Sequence, residues 1–203
     1  MPSIIIEGPD AVGKSTLISE TKKYIETSYH QPVSIIHCEN FKNITDPIEY
    51  KEFSKNFYKS CFELMNHTDG KFLIFDRCHL GEYVYSPMYR HYDGSYIFEL
   101  ENKILYPKTV VEFLIDANPE KIIEMDKLRN DGKSFTLDIK KKNEEIKRFK
   151  RAFEQSSILN KKIITNFVKE PKIVFNEQMK ELVEEVHYQS KGILTLKFFC
   201  IFI

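Results

Sequence analysis

Glycine is scarce in this chain, with seven residues among 203, so a motif that uses two of them at a fixed spacing carries information. An excess of either charge is missing as well. Thirty Lys and Arg balance thirty Asp and Glu, which removes any global field toward nucleic acid or a membrane surface and makes any basic site local. Cysteine is limited to Cys38, Cys61, Cys78 and Cys200, with no CxxC pair. That spacing speaks against a disulfide scaffold and for reduced thiols in a cytoplasmic protein. The cluster HCE at 37–39 lacks a second ligand pair at zinc-like spacing, so no zinc site is read from it. A long apolar run is absent too. The tail ILTLKFFCIFI at 193–203 is apolar except for Thr195 and Lys197, but it is far shorter than the ~20 residues of a spanning helix. It is expected to form a last strand or a tail packed on the body or on a partner chain. A strand pattern begins at the third residue, which leaves no room before it for a targeting segment.

What is present is a globular composition, 42% hydrophobic and 30% charged, in a chain long enough for one α/β core and short for two. Apolar runs at 3–7, 33–38, 71–76, 109–116 and 172–176 read as strands. Helical spacing is read over 14–29, over 48–66 from Phe53, Phe57, Cys61 and Leu64, over 137–159 from Ile146, Phe149 and Phe153, and around Met179, Leu182, Val183 and Val186. Pro119 suits a helix's first position. Strands that are nearly continuous apolar runs, separated by helix-length segments, imply a five-stranded parallel sheet with helices on both faces, in a single domain.

The stretch GPDAVGKS at 8–15 matches G-x-x-x-x-G-K-[ST], with a strand before it and a helix after it. Gly8 and Gly13 let backbone amides turn inward on an anion, and the helix presents its positive end. Lys14 then reaches the β- and γ-phosphates of ATP, and Ser15 ligates Mg²⁺. The full nucleotide set is Gly8, Ala11, Val12, Gly13, Lys14, Ser15 and Thr16. A second acid belongs at the end of a neighbouring buried strand, and FLIFD supplies Asp76. It is placed to hold Mg²⁺ through water, the alternative being a turn cap. Arg77 follows, a guanidinium able to clamp a second phosphate or else to form a surface ion pair. No N-K-x-D tetrapeptide occurs, so a guanine-nucleotide switch is not indicated.

Three segments together resemble the thymidylate kinase family of P-loop kinases: EGPDAVGKST at 7–16, DRCHLGEYVYS at 76–86, and IDANPEKIIEMDKLRNDGKSF at 115–135. The likeness spans about 4–153. It implies a three-layer P-loop NTPase fold, ATP as donor with Mg²⁺, a lid around 129–142 and a homodimer whose face includes the Phe-rich segment 50–62. By the same resemblance Asp10 contacts the acceptor's 3′-hydroxyl or stabilises the loop, Arg77 holds the acceptor phosphate, and Phe53 stacks on the base unless it belongs to the core. Ser86 stands where the family has an acceptor-site glutamine. Ala11 replaces a catalytic arginine of some members, so the charge is expected from the lid, from Arg129 first, with Lys133 and Arg148 behind it. Departures fall on base recognition. Gly81 replaces a serine, Met125 an arginine that stacks on adenine, and the arginine for the thymine carbonyl has no match near Asn56 and Phe57. Glu82, Tyr83, Tyr85 and Arg90 are polar groups without an assignment.

The reading that follows is a nucleoside monophosphate kinase, with dTMP to dTDP as the leading reaction and catalysis by Lys14, Asp76, Arg77 and Arg129. Ser15 and Asp76 serve the metal. Its partners are small nucleotides, without nucleic acid or membrane. A deoxynucleoside kinase and a weakly catalytic ATP-binding regulator are the alternatives.

Overall fold

In β1 (Ser3–Glu7), Ile4 and Ile6 point to one side and Ile5 to the other, and all three are fully buried. Such a strand must be covered on both faces. The computed structural model describes residues 2–38, 41, 43–67, 71–105, 109–116, 118–129, 136–165 and 175–190. After β1 come α1 (Lys14–Tyr29), β2 (Val33–His37), α2 (Pro47–Asn66), β3 (Phe72–Asp76) and α3 (His79–Tyr85), which runs into a π-helical turn, Ser86–Arg90. Then follow α4 (Tyr96–Ile104), β4 (Val110–Ile115), α5 (Pro119–Arg129), α6 (Ile139–Gln155), β5 (Asn160–Ile164), a second π-turn (Phe175–Met179) and α7 (Lys180–Ser190).

The five strands lie in the order β2-β3-β1-β4-β5 and every pairing is parallel. One face packs Ile4, Ile6, Ile74 and Phe113 against Leu17 and Ile25 of α1, Ile122 of α5 and Val183 and Val186 of α7. The other packs Ile5, Leu73 and Phe75 against Tyr58, Phe62 and Met65 of α2 and Ile97 of α4. Leu114 meets α3 and α6 there, through Leu80, Val84, Phe149 and Phe153. Because β1 sits between β3 and β4, the chain leaves it to either side. The carboxyl ends of β1, β3 and β4 therefore open on one crevice, the place where such sheets hold ligands.

Three sequence expectations are corrected. The fifth strand of the sheet is Asn160–Ile164; of the segment 172–176 expected in that place, residues 172–174 lie outside the described residues and Phe175 opens the second π-turn. Lys161 and Lys162 disguise this edge strand. The Lys161 ammonium turns back to donate to the carbonyls of Phe153 and Ser156 at the end of α6, at 2.5 and 2.7 Å, where a cation suits the helix terminus. Accordingly α6 stops at Gln155 rather than 159, and starts at Ile139, where Asp138 caps it through Lys141 N. The buried face of α2 is Tyr50, Ser54, Tyr58, Cys61, Phe62 and Met65, while Phe53 and Leu64 are exposed. The helix is rotated from the face that Phe53, Phe57 and Leu64 implied, because Tyr58 and Phe62 fill the layer over β3. Of the lid expected at 129–142, residues 130–135 lie outside the described residues, as does the tail 193–203. Among the described residues no helix is long and apolar enough to cross a membrane.

A buried charge cluster ties α3, α4 and β4 together. His79 Nε2 stands 2.7 Å from Glu101 and 3.7 Å from Glu112, and all three side chains are almost wholly inaccessible. Burial works against the imidazolium, but Glu101 and then Glu112 outweigh it and raise the His79 pKa to about 9. Burial pushes the Glu112 carboxyl up to about 8, against the pull of His79. Stability gained from His79 is complete below its unfolded value of 6.5 and lost as pH passes about 9. Folded Glu112 keeps a proton that the unfolded chain releases above 4.5, so stability also falls as pH rises toward 8. Both slopes have the same sign. Urea midpoints are expected to decline between pH 6.5 and 9, and Glu112→Gln to flatten that decline; a midpoint that holds constant to pH 9 in the unmodified chain contradicts this. Glu101→Ala, which leaves the imidazolium unpaired, is expected to cost ~3 kcal/mol near neutral pH.

Candidate active site

The phosphate loop occupies the mouth of the crevice. Gly8 and Gly13 have φ of 143° and 92°, and Ala11 between them sits at 65°. A Cβ on Gly8 would stand 3.1 Å from the Ile115 carbonyl oxygen and 3.3 Å from Val12, so β4 passes too close for any side chain there. Gly13 precedes α1 in the left-handed region and offers no side-chain cap. Thr16 N donates to the Gly13 carbonyl at 3.1 Å, and the amides that precede it at the start of α1 lie at the helix's positive end, where an anion is favoured. Ser15 and Thr16 are exposed and Val12 is buried. Lys14 is buried, and its ammonium donates back to the carbonyls of Gly8 and Pro9 at 2.8 and 2.6 Å. Burial lowers its pKa to about 8 despite Asp10 nearby.

The second half of the site is the turn after β3. Arg77 adopts φ 66°, and its amide donates to the Ile6 carbonyl of β1 at 3.0 Å. Glu7, fully buried at the end of β1, accepts from the amides of Cys78 and Leu80 at 2.8 and 3.0 Å. One carboxylate thus anchors the turn and caps α3, and burial raises its pKa. The Arg77 guanidinium is turned back onto the loop, where Nη2 donates to Asp10 Oδ1 at 2.5 Å. Burial would raise the Asp10 pKa, but Lys14 and Arg77 hold it below the usual carboxylate range. On the other side His37 Nδ1 lies 2.7 Å from Asp76 Oδ2, and Arg77 Nη1 makes a long contact of 3.5 Å with His37 Nε2. His37, Asp76, Arg77 and Asp10 form one continuous polar line across the cleft.

The donors present fit a magnesium ion. Asp76 Oδ1 is buried and finds no hydrogen-bond partner among the described residues, and Ser15, in the first turn of α1, is exposed. Both are hard oxygen groups of the kind Mg²⁺ takes beside phosphate oxygens. Bound there, the ion would neutralise charge on the transferring phosphoryl group.

Other expected residues distribute unevenly. Phe53 is 47% exposed, so it is not core; its ring meets Phe41 at 4.5 Å, and Phe41 also touches Phe57 and Tyr50. Ser86 is fully buried and its hydroxyl donates to the Glu82 carbonyl within the helix, so in this structure it offers nothing to an acceptor. Arg148 pairs with Glu144 one turn back on α6, a surface ion pair rather than a lid charge. Arg129 ends α5; Lys133 lies outside the described residues.

Sequence reading left Glu82 and Arg90 without a role. Glu82 is buried and receives Arg90 Nη1 at 2.9 Å, Tyr92 at 2.6 Å and Tyr96 at 2.8 Å, while Arg90 stacks 4.6 Å over the ring of Tyr50. Lys142 was hidden among the basic residues of α6. It is buried and donates to Glu145 at 2.8 Å, and Glu145 also takes the Tyr89 hydroxyl. The thiols of Cys38, Cys61 and Cys78, far apart in sequence, share one core cluster and are free. Burial pushes Cys78 up to about 11, so it stays protonated and chemically quiet.

Gly8→Ala is expected to lower stability by ~2 kcal/mol through backbone strain and the approach to Ile115, measured as a urea midpoint. Gly81→Ala is the control, since a Cβ there meets only the Tyr85 ring at 3.7 Å; equal losses at both positions contradict the geometry.

No family model matches the chain, and no curated protein does. Solved structures do. The YorR protein of Bacillus subtilis, in complex with phosphorylated GDP, is similar over 93% of this chain and 98% of its own, with a TM-score of 0.61 and 17% identity. Thymidylate kinase from Ehrlichia chaffeensis is similar over 92% of this chain and 98% of its own, with a TM-score of 0.60 and 16% identity. The all-parallel sheet and its flanking helices are the P-loop kinase fold that thymidylate kinase also has.

Proposed function

We propose that the chain is a nucleoside monophosphate kinase, transferring the γ-phosphate of ATP, bound with Mg²⁺, to a deoxynucleoside monophosphate, with dTMP as the leading acceptor. The observation that carries this reading is the Asp10–Arg77 contact. A fixed guanidinium stands at the mouth of a phosphate loop, so two anions can be held side by side. A triphosphate taken by the loop amides and Lys14, and a monophosphate taken by Arg77, would meet across the polar line that ends at Asp76. Chemistry of this kind needs positioning and charge neutralisation more than covalent work. Arg77 gives up Asp10 when an acceptor phosphate arrives, which frees that carboxylate for a sugar hydroxyl. Arg129 is the proposed lid charge. The YorR structure holds phosphorylated GDP, which supports a nucleotide in this fold without favouring thymine.

The test is ADP release with ATP, Mg²⁺ and a panel of deoxynucleoside monophosphates and nucleosides. At least one monophosphate is expected to turn over above the ATP-only background, with Arg77→Ala lowering its kcat/KM ~100-fold or more and Arg129→Ala lowering kcat ~1,000-fold. Turnover of thymidine without its monophosphate selects a deoxynucleoside kinase. ATP binding without transfer to any member selects a regulator.

A further inference from the structure

We propose that His37 is a positioning residue that braces the metal acid and the acceptor arginine at once, an inference that rests on the function proposed above. His37 closes β2, and the sheet pairs it directly with Asp76 across the β2–β3 ladder. The Cys38 amide donates to the Asp76 carbonyl at 3.1 Å just beyond. The two side chains therefore meet because of strand register and not because of loop conformation. Their 2.7 Å contact uses Asp76 Oδ2 and leaves the buried Oδ1 without a hydrogen-bond partner among the described residues.

One tautomer suits both contacts. A proton on Nδ1 serves the 2.7 Å contact to Asp76 and leaves Nε2 to accept from Arg77 at its longer 3.5 Å approach. The neutral imidazole with its proton on Nδ1 satisfies both sides. One end of the ring then holds Asp76 in the rotamer that aims Oδ1 at the metal position, and the other holds Arg77 Nη1 while Nη2 lies on Asp10. A ring that is 40% exposed at its side chain has no packing role large enough to explain this placement. Its contacts to Asp76 and Arg77 bridge the two sides of the polar line.

The two ends can be separated by substitution. Asparagine keeps a donor near the Nδ1 position, and glutamine carries an acceptor out to the Nε2 position. The unmodified chain and His37→Ala, His37→Asn and His37→Gln are compared by ATP binding in calorimetry across a Mg²⁺ titration, and by acceptor KM in the ADP-release assay. His37→Ala is expected to weaken the Mg²⁺-dependent part of ATP binding and to raise the acceptor KM, each about 10-fold, the size of one lost hydrogen bond to a charged group, with an unchanged urea midpoint. His37→Asn should recover the Mg²⁺ dependence alone, and His37→Gln the acceptor KM alone. An alanine variant that matches the unmodified chain in both readouts overturns the proposal, as does a loss that Asn and Gln fail to divide. If the unmodified chain transfers phosphate to no acceptor, the proposed function fails, and the Mg²⁺ titration decides the role of His37 alone.

Discussion

The Glu7 carboxylate is the constraint on which the site depends. It is buried at the end of the central strand, and it accepts two backbone amides from the turn that follows β3. A buried carboxylate is costly unless it is hydrogen-bonded; here Oε1 takes both amides while Oε2 finds no partner among the described residues, and the two bonds to Oε1 define the turn. They fix where α3 begins and help hold Arg77 in a left-handed backbone conformation. Without this tie, parallel pairing would still bring Asp76 level with Ile6, but the direction of the next side chain would be open. A single acid thus converts strand register into an aimed guanidinium.

Around that tie the molecule concentrates charge in its interior while carrying none overall. His79, Glu101 and Glu112 lie beneath α3, and Glu82 with Arg90 and Lys142 with Glu145 lie beside it. Buried pairs of this kind add little net stability compared with apolar packing, because desolvation offsets their attraction. What they provide here is orientation. Every pair has a member on α3, on the π-turn that extends it, or on the α6 face packed against it. Hydrogen-bond geometry thus orients α3, while Leu80, Val84 and Tyr85 pack it on Leu114, Phe149 and Phe153.

Much of this was legible in the sequence, for reasons that differ between elements. β1, β3 and β4 announce themselves because they are central strands buried on both faces, and the edge strand β2 because Val33, Ile35 and Ile36 still make an apolar run. The phosphate loop is legible because its conformational demands fall on glycine, with Gly8 facing a backbone oxygen 3.1 Å away. The fifth strand was missed because an edge strand needs only one buried end, and its lysines serve the neighbouring helix. The α2 face was missed because tyrosine and serine occupy buried positions that a hydrophobic pattern skips. His37 carried no signal, since its partner lies 39 residues away and only register joins them. The same holds for the three thiols that meet in one cluster.

The two halves of the cleft differ in what they are made of, and that difference decides how far substrate can be read. The loop at 8–15 is shaped by main-chain geometry and one buried lysine, demands that glycine spacing alone makes legible. Under the proposed function, base recognition falls to side chains on α2, α3 and the π-turn. There Gly81 is buried without a polar group and Ser86 bonds its own helix. What stands in that region is a satisfied network, with Glu82 holding one arginine and two tyrosines. A carboxylate with its donors in place is held in one orientation and re-pairs only at the cost of those bonds. Under the proposed function, selectivity then depends on whether an acceptor's hydrogen-bonding edge matches a pattern already set by the protein's own contacts.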